Sequence, residues 1–302
     1  MGGASSEREV SIATGNEAAR ALTSLGYDVQ TLDYDAAFID AIRSIAPDAV
    51  FNALHGPGGE DGQIQAILDF LNIPYTGSGV EASALALDKH LTKKLFAAEG
   101  FPTVAWDVFD LSGGTLPLLP GTLGLPLVVK PRNEGSAAGV TIVQTHEEWT
   151  QTMIDVSKTH SEILAEEYIP GREFTVGILG EEVLPVIEIL PNLDGFYSYA
   201  AKYEPGGSTH VIPAEIDEDL TARLQMLALS AHRLLGLRDY SRTDFIVSAE
   251  GRPHLLEVNT LPGLTPTSCL PDACRFIGIS FEALVDRLIG YALERTDLRA
   301  VS

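Results

Sequence analysis

Lysine is scarce in this chain. Six occur among 302 residues, at positions 89, 93, 94, 130, 158 and 202, and all Lys and Arg together number 20 against 42 Asp and Glu. The formal net charge of −22 gives a surface that repels nucleic acid and anionic membranes, so neither is expected as a partner. Cysteine is nearly absent. Cys269 and Cys274 provide no disulfide framework, which points to a reducing cytoplasm. No apolar run is long enough to span a bilayer and no signal peptide is visible, so no membrane anchor is expected. The seven histidines show no zinc-ligand spacing. A GxxxxGK[ST] loop is also missing, which excludes a P-loop nucleotidase. With positive charge so rare, an anionic ligand needs it locally concentrated, and the positions of the lysines become informative.

What is present is a chain of two or three domains by length. The first part alternates helix and strand patterns. "NEAARALTSLG" predicts a helix closed by Gly26, "YDVQTLDY" a strand, and "DAVFNALHG" an apolar strand opening into the glycine-rich "HGPGGEDG". This βα rhythm predicts a small parallel sheet. A longer helix over Ser83 to Ala98 carries Lys89, Lys93 and Lys94. Strands then dominate, interrupted by one helix near His146 to Lys158. In "LTARLQMLALSAHRLLG", Leu220, Leu224, Leu227, Leu234 and Leu235 form a core stripe. The fold class is α/β and α+β, with expected units 1–80, 81–165 and 166–302.

"HLLEVNTLPG", residues 254–263, places Glu257 and Asn259 on an otherwise apolar strand. Burying an unpaired carboxylate costs several kcal/mol, so something must compensate. The preceding "YSRTDFIVSAEGRP" allows a hairpin closed by Glu250-Gly251. Paired numbers then sum to 501, so Asp244 faces Glu257 and Arg242 faces Asn259. Facing carboxylates repel. A hard divalent cation with oxygen ligands removes the repulsion, and Mg²⁺ suits two carboxylates and a carboxamide. An Arg242–Asp244 ion pair on a wet edge explains the hairpin equally well, and both readings stay open at this point. "PLVVKPRNEGSAAG" sets Lys130 at a strand end before a loop containing Gly135, Ser136 and Gly139. Such a loop fits a phosphate or is simply a surface hairpin.

Taken together these stretches closely resemble the D-alanine–D-alanine ligases of the ATP-grasp superfamily. The resemblance rests on "SSEREVS" (5–11), "LHGPGGEDG" (54–62), "PYTGSGVEASALALDKHLTK" (74–93), "VVKPRNEGSAAG" (128–139), "EEYIPGREFTV" (166–176), "FYSYAAKY" (196–203), "SRTDF" (241–245) and "LLEVNTLPGLTPTS" (255–268), in the family's order over nearly the whole chain. It implies an ATP-grasp fold with an N-terminal Rossmann-like parallel-sheet domain. It implies ATP-dependent joining of two D-alanine molecules through an acyl phosphate, for peptidoglycan precursor synthesis, by a cytoplasmic homodimer using two Mg²⁺ ions, with Mn²⁺ as a substitute. It also implies residue roles. Asp244, Glu257 and Asn259 are the metal ligands, and Lys89, Lys130 and Lys202 contact phosphates. Glu166 and Glu173, with the backbone of Glu167, Tyr168 and Ile169, hold adenine and ribose. Arg242 and the Gly263 N–H serve the oxyanion, Glu7 near His55 takes the first D-alanine's ammonium, and Ser268 takes the second's carboxylate. Ser136 and Tyr203 join Glu7 in pinning a loop near Tyr199 to Gly207 over the site, and tyrosine at 203 favours the dipeptide over D-alanyl-D-lactate.

The chain departs from the family pattern at Pro57, where arginine is common, at Ala137, where a second serine is common, and at Glu167, where lysine is common. The apolar strand expected before Gly2-Gly3 is missing, which suggests a truncated or wrongly assigned start. Other readings are another ATP-grasp carboxylate–amine ligase, or an inactive nucleotide-binding protein should the truncation be real.

Overall fold

The computed structural model describes residues 1–114, 116–119, 121–135, 139–192 and 206–299, and for 296–299 the backbone only. The N-terminal part is built from α1 (Arg8–Ser24), α2 (Phe38–Ile45) and α3 (Gln63–Phe70). Helix α1 ends as its sequence predicts: Gly26 takes φ +93 and Tyr27 N–H returns to the Leu22 carbonyl at 3.1 Å. The buried side of α1, with Ala18, Ala21 and Leu22, packs on Val285, Ile289 and Ala292 of the C-terminal α9 (Phe281–Arg299).

The parallel pairing expected here is confined to a bridge between Val50 and Tyr75. "YDVQTLDY" is not a strand. A strand requires a neighbour's backbone along its length, and here Met1 supplies one at the segment's end alone, its N donating to the Leu32 carbonyl and its carbonyl accepting the Tyr34 N–H.

The helix expected over Ser83 to Ala98 is two helices, α4 (Val80–Leu87) and α5 (Lys89–Ala98). Asp88 breaks it. At φ −77, ψ 94 it leaves the helical region and its carboxylate accepts the N–H groups of His90 and Leu91. An aspartate competes for backbone donors wherever a helix can be restarted, and so makes a good N-cap. The same carboxylate takes a two-pronged pair from Arg132, at 2.9 and 2.5 Å. The break therefore sets Lys89 at the first position of α5 and ties it to the loop that follows β2.

Two antiparallel sheets follow. The first has order β1-β4-β2-β3, from β1 (Trp106–Asp110), β2 (Leu127–Pro131), β3 (Thr141–Val143) and β4 (Glu162–Glu167). Helix α6 (His146–Val156) covers it through Trp149 and Met153, against Leu127, Val129 and Ile163. The second runs β10-β9-β5-β7-β8, with β6 (Glu182–Val183) on β5. Its strands are β5 (Gly171–Leu179), β7 (Ile187–Pro191), β8 (Ser208–Val211), β9 (Tyr240–Ser248) and β10 (Pro253–Asn259). Helix α7 (Glu218–Leu234) lays Leu224 and Leu227 on Phe174, Val176 and Phe245, where Phe96 of α5 joins the same core. Helix α8 (Cys269–Phe276) packs on the far end of this sheet. Asp239, at φ +64, knots the parts together: it accepts two bonds from Arg295 and one from the Gly77 N–H.

Candidate active site

The hairpin reaches the expected pairing by an unexpected route. Close to the turn, paired numbers sum to 500: Pro253 faces Val247, His254 faces Ile246 and Leu255 faces Phe245. The turn holds three residues, closed by Ser248 N–H on the Arg252 carbonyl at 3.0 Å. A β-bulge between Leu255 and Glu257 then shifts the register by one, so Glu257 faces Asp244 and Asn259 faces Arg242. The bulge is what separates the faces. Leu255 and Val258 are 0% and 4% exposed in the core, while Leu256 and Glu257 both line the cleft. In a regular strand Glu257 would share the face of Leu255.

Asp244 is held from three sides. Arg242 donates to both its oxygens at 2.8 Å, Thr175 Oγ1 donates at 2.6 Å and Asn259 Nδ2 at 3.2 Å. Lys89 Nζ lies 3.6 Å from Glu257 and also donates to the Glu134 carbonyl. The Arg242–Asp244 ion pair foreseen as one reading is therefore present. It does not remove the donor set: two carboxylates and a carboxamide lie side by side on adjacent strands, all with oxygen donors, as a hard divalent cation requires. Among the described residues no group of three or more His, Cys, Asp and Glu converges on one point. The residues present fit a metal ion shared with a ligand's oxygens, not an all-protein cage.

From this strand a cleft runs between the two sheets, past Lys130, Glu166 and Val128 to Tyr168 and Ile169, with Glu167 and Glu173 also on its wall. At its floor Glu166, 2% exposed, is clamped between Lys130 at 2.7 Å and Lys93 at 3.0 Å. Burial alone would push the Glu166 carboxyl up; Lys130 and Lys93 outweigh it and hold the group below its ordinary range. Lys93 was not among the residues expected at the site. Its signal was there: Lys89, Thr92, Lys93 and Phe96 form the buried stripe of α5 at spacings of three and four, so a lysine occupies a core position. Lys93 also donates to Thr103 Oγ1 at 2.9 Å.

Beside β10 a small second pocket, lined by Glu60, Lys89, Gly135, Glu257 and Asn259, reaches the N-terminal part. Glu7, 2% exposed at the start of α1, places its carboxylate against both glycine-rich loops. A Cβ at Gly56 would stand 2.6 Å from Glu7 Oε2, and one at Gly135 2.5 Å from it. His55 is buried, with Nε2 3.0 Å from Thr14 Oγ1 and Nδ1 3.9 Å from Glu60. Ser268 stands at the N-cap position of α8 with no capping bond from its side chain; its Oγ instead accepts the Thr265 N–H at 3.1 Å, and a Cβ at Gly263 would lie 2.9 Å from that oxygen. Of the expected residues, Ser136, Lys202 and Tyr203 lie outside the described part, as does most of the loop near Tyr199 to Gly207.

A lysine-floored cleft between two antiparallel sheets, ending in paired acids, defines an ATP-grasp fold. The comparisons narrow this. The model for the D-ala D-ala ligase C-terminus matches residues 95–290, and that for the N-terminus residues 36–78. D-alanine–D-alanine ligases of Gluconobacter oxydans (45% identical, covering 98% of each chain) and of a Synechococcus strain (44%, covering 98% of this chain and 93% of the relative) are similar throughout. So is the crystal structure of the Bacillus anthracis ligase complexed with ATP, at TM-score 0.85 and 32% identity over 99% of this chain and 97% of the other. The chain belongs to the D-alanine–D-alanine ligase family.

Proposed function

We propose the following working centre for this ligase, whose reaction is the ATP-dependent joining of two D-alanine molecules to D-alanyl-D-alanine, a peptidoglycan precursor. A carboxylate is a poor electrophile because its leaving group would be oxide. Transfer of the γ-phosphoryl to the first D-alanine gives an acyl phosphate and ADP. The second D-alanine's amine then attacks the acyl carbon, the new C–N bond forms, the amine loses a proton, and the C–O bond to phosphate breaks. Phosphoryl transfer is mostly positioning and charge neutralisation.

Asp244, Glu257 and Asn259 would hold Mg²⁺, or Mn²⁺ in its place. The neutralisation of phosphate charge is the chemistry that bound Mg²⁺ supplies. Lys89, Lys130 and Lys202 would contact phosphates, and Glu166, Glu173 and the backbone of 167–169 would hold the nucleoside. Glu7, beside His55, receives the ammonium of the first D-alanine. Arg242 and the Gly263 N–H face the developing oxyanion, and Ser268 takes the second carboxylate. Ser136 and Tyr203 would close over the site to exclude water from the acyl phosphate. The reading extends to units 1–80, 81–165 and 166–302, to a homodimer and to the cytoplasm.

The observation that carries the site is the bulged hairpin, which turns Glu257 out of the core to face Asp244 at the end of a cleft floored by Lys93, Glu166 and Lys130. Phosphate release with ATP and Mg²⁺ is expected with D-alanine and not with L-alanine or D-lactate alone. Release that requires some other amino acid would overturn the substrate assignment. The other readings, a different ligase or an inactive nucleotide binder, find no support in the comparisons.

Gly135→Ala is a second test, aimed at the first D-alanine. Its Cβ would stand 2.5 Å from Glu7 Oε2, and Gly56 on the other side limits retreat. The KM for the first D-alanine is expected to rise about tenfold or more, since displacements below an ångström at a reacting site carry costs of this order. The melting temperature should barely change, and an unaltered KM would separate Gly135 from the substrate pocket.

A further inference from the structure

Helix α8 begins one residue after Ser268, and its first turn is fastened to the sheet edge by charge. His210, on β8, places Nδ1 2.7 Å from Asp272 Oδ2 and Nε2 3.4 Å from Cys269 Sγ. Asp272 also accepts from Arg275 at 2.6 Å, and its own N–H bonds to the Ser268 carbonyl at 3.2 Å. Burial by itself would lower the pKa of His210; the bonds to Asp272 and then Cys269 overturn this and raise it to about 10. At neutral pH the ring is an imidazolium, donating from one nitrogen to the carboxylate and from the other toward sulfur.

Such a pair is a poor choice for stability alone, because two desolvated charges roughly break even against apolar packing. What it supplies is direction. A carboxylate in the first turn of α8 can meet the ring in few geometries, and the turn it fixes begins at Ser268, whose carbonyl accepts the Asp272 N–H and whose side chain starts from the backbone so fixed. That hydroxyl is itself oriented by the Thr265 N–H and lies 2.9 Å from Thr265 Oγ1.

We propose that His210 is a positioning residue for the second D-alanine, holding the first turn of α8 through Asp272 and so the Ser268 hydroxyl that meets that substrate's carboxylate. This rests on the reading of Ser268 given above. His210 touches no substrate and acts only through α8.

Two substitutions divide the ring's roles. In His210→Asn the amide nitrogen can replace Nδ1 and keep the bond to Asp272. In His210→Gln it replaces Nε2 and abandons Asp272. The measurements are KM for the second D-alanine, KM for ATP, and iodoacetamide labelling of Cys269 and Cys274 read by mass spectrometry. His210→Gln is expected to raise the second D-alanine's KM about tenfold or more, leave the KM for ATP unchanged, and speed labelling of the buried Cys269 but not of Cys274. His210→Asn should stay close to the parent protein.

Equal behaviour of the two variants, or a parallel rise in both KM values, would overturn the proposal. Should His210→Gln fail to fold, Asp272→Asn breaks the same ion pair from its other side, and failure of both would show a folding element in place of a positioning one. Ser268→Ala separates the two levels. If it leaves the second KM unaltered, the subsite reading falls; if it raises that KM and His210→Gln does not, only the present proposal falls.

Discussion

Glu257→Gln is expected to cut turnover by on the order of a hundredfold to a thousandfold, the effect typical of removing one preorganised group that faces reacting charge. The amide keeps the shape and removes a charged oxygen ligand. The cost to folding should be small. Glu257 is partly exposed, and Lys89, its ion partner at 3.6 Å, keeps its bond to the Glu134 carbonyl when the charge is removed, so the fold should lose far less than the reaction. Activity and fold therefore separate: kcat collapses while the urea midpoint holds. The Mg²⁺ concentration for half-maximal nucleotide binding should also rise, a readout that does not depend on turnover. An unchanged rate at saturating Mg²⁺ would remove Glu257 from the metal site and the hairpin from the centre of the mechanism.

Lys93→Met is expected to act in the opposite sense, on the fold first. Lys93 is 1% exposed and, among the described residues, one of two ammonium groups on Glu166, itself 2% exposed. Removing one partner of a buried ionic cluster leaves charge uncompensated and costs about 3–5 kcal/mol. A loss of this size should appear as a lower urea midpoint with an unchanged slope.

The pH dependence follows from the same cluster. The folded-state pKa of Glu166 is held below its ordinary 4.5 by Lys130 and Lys93, against burial that would raise it. A depressed carboxyl contributes stability that is present above the unfolded value and is lost as pH falls through the folded one. The parent protein should therefore lose stability on acidification below about pH 4.5. In Lys93→Met that acid-side loss should begin at higher pH, because Glu166 is less depressed. An unshifted acid limb, measured by denaturant titration at several pH values, would show that Lys130 alone sets the ionisation of Glu166.

Some of this architecture was legible in the chain because the signal is local. The glycine-rich loops, the α7 leucine stripe and the acids of "LLEVN" each follow from residue spacing, and local spacing survives any packing. Asp88 shows where such reading overreaches. The apolar pattern runs on from Ser83 to Ala98, and a single carboxylate with a backbone alternative ends one helix and starts the next.

Sequence by itself determined the family, the order of the elements and the ligand types: oxygen donors on one hairpin, few lysines, small residues where loops approach. Tertiary structure decided which of them meet. The facing of Asp244 and Glu257 depends on a bulge that repairs a three-residue turn, and no count from the turn alone could place it. Lys93 reads as one more helical lysine until Glu166, from a strand more than sixty residues away, takes its charge. His210 gains its partners only when the sheet edge meets α8. The reason is common to all three: register and charge compensation are settled by desolvation between segments distant in the chain, and spacing along one segment carries no information about its partner.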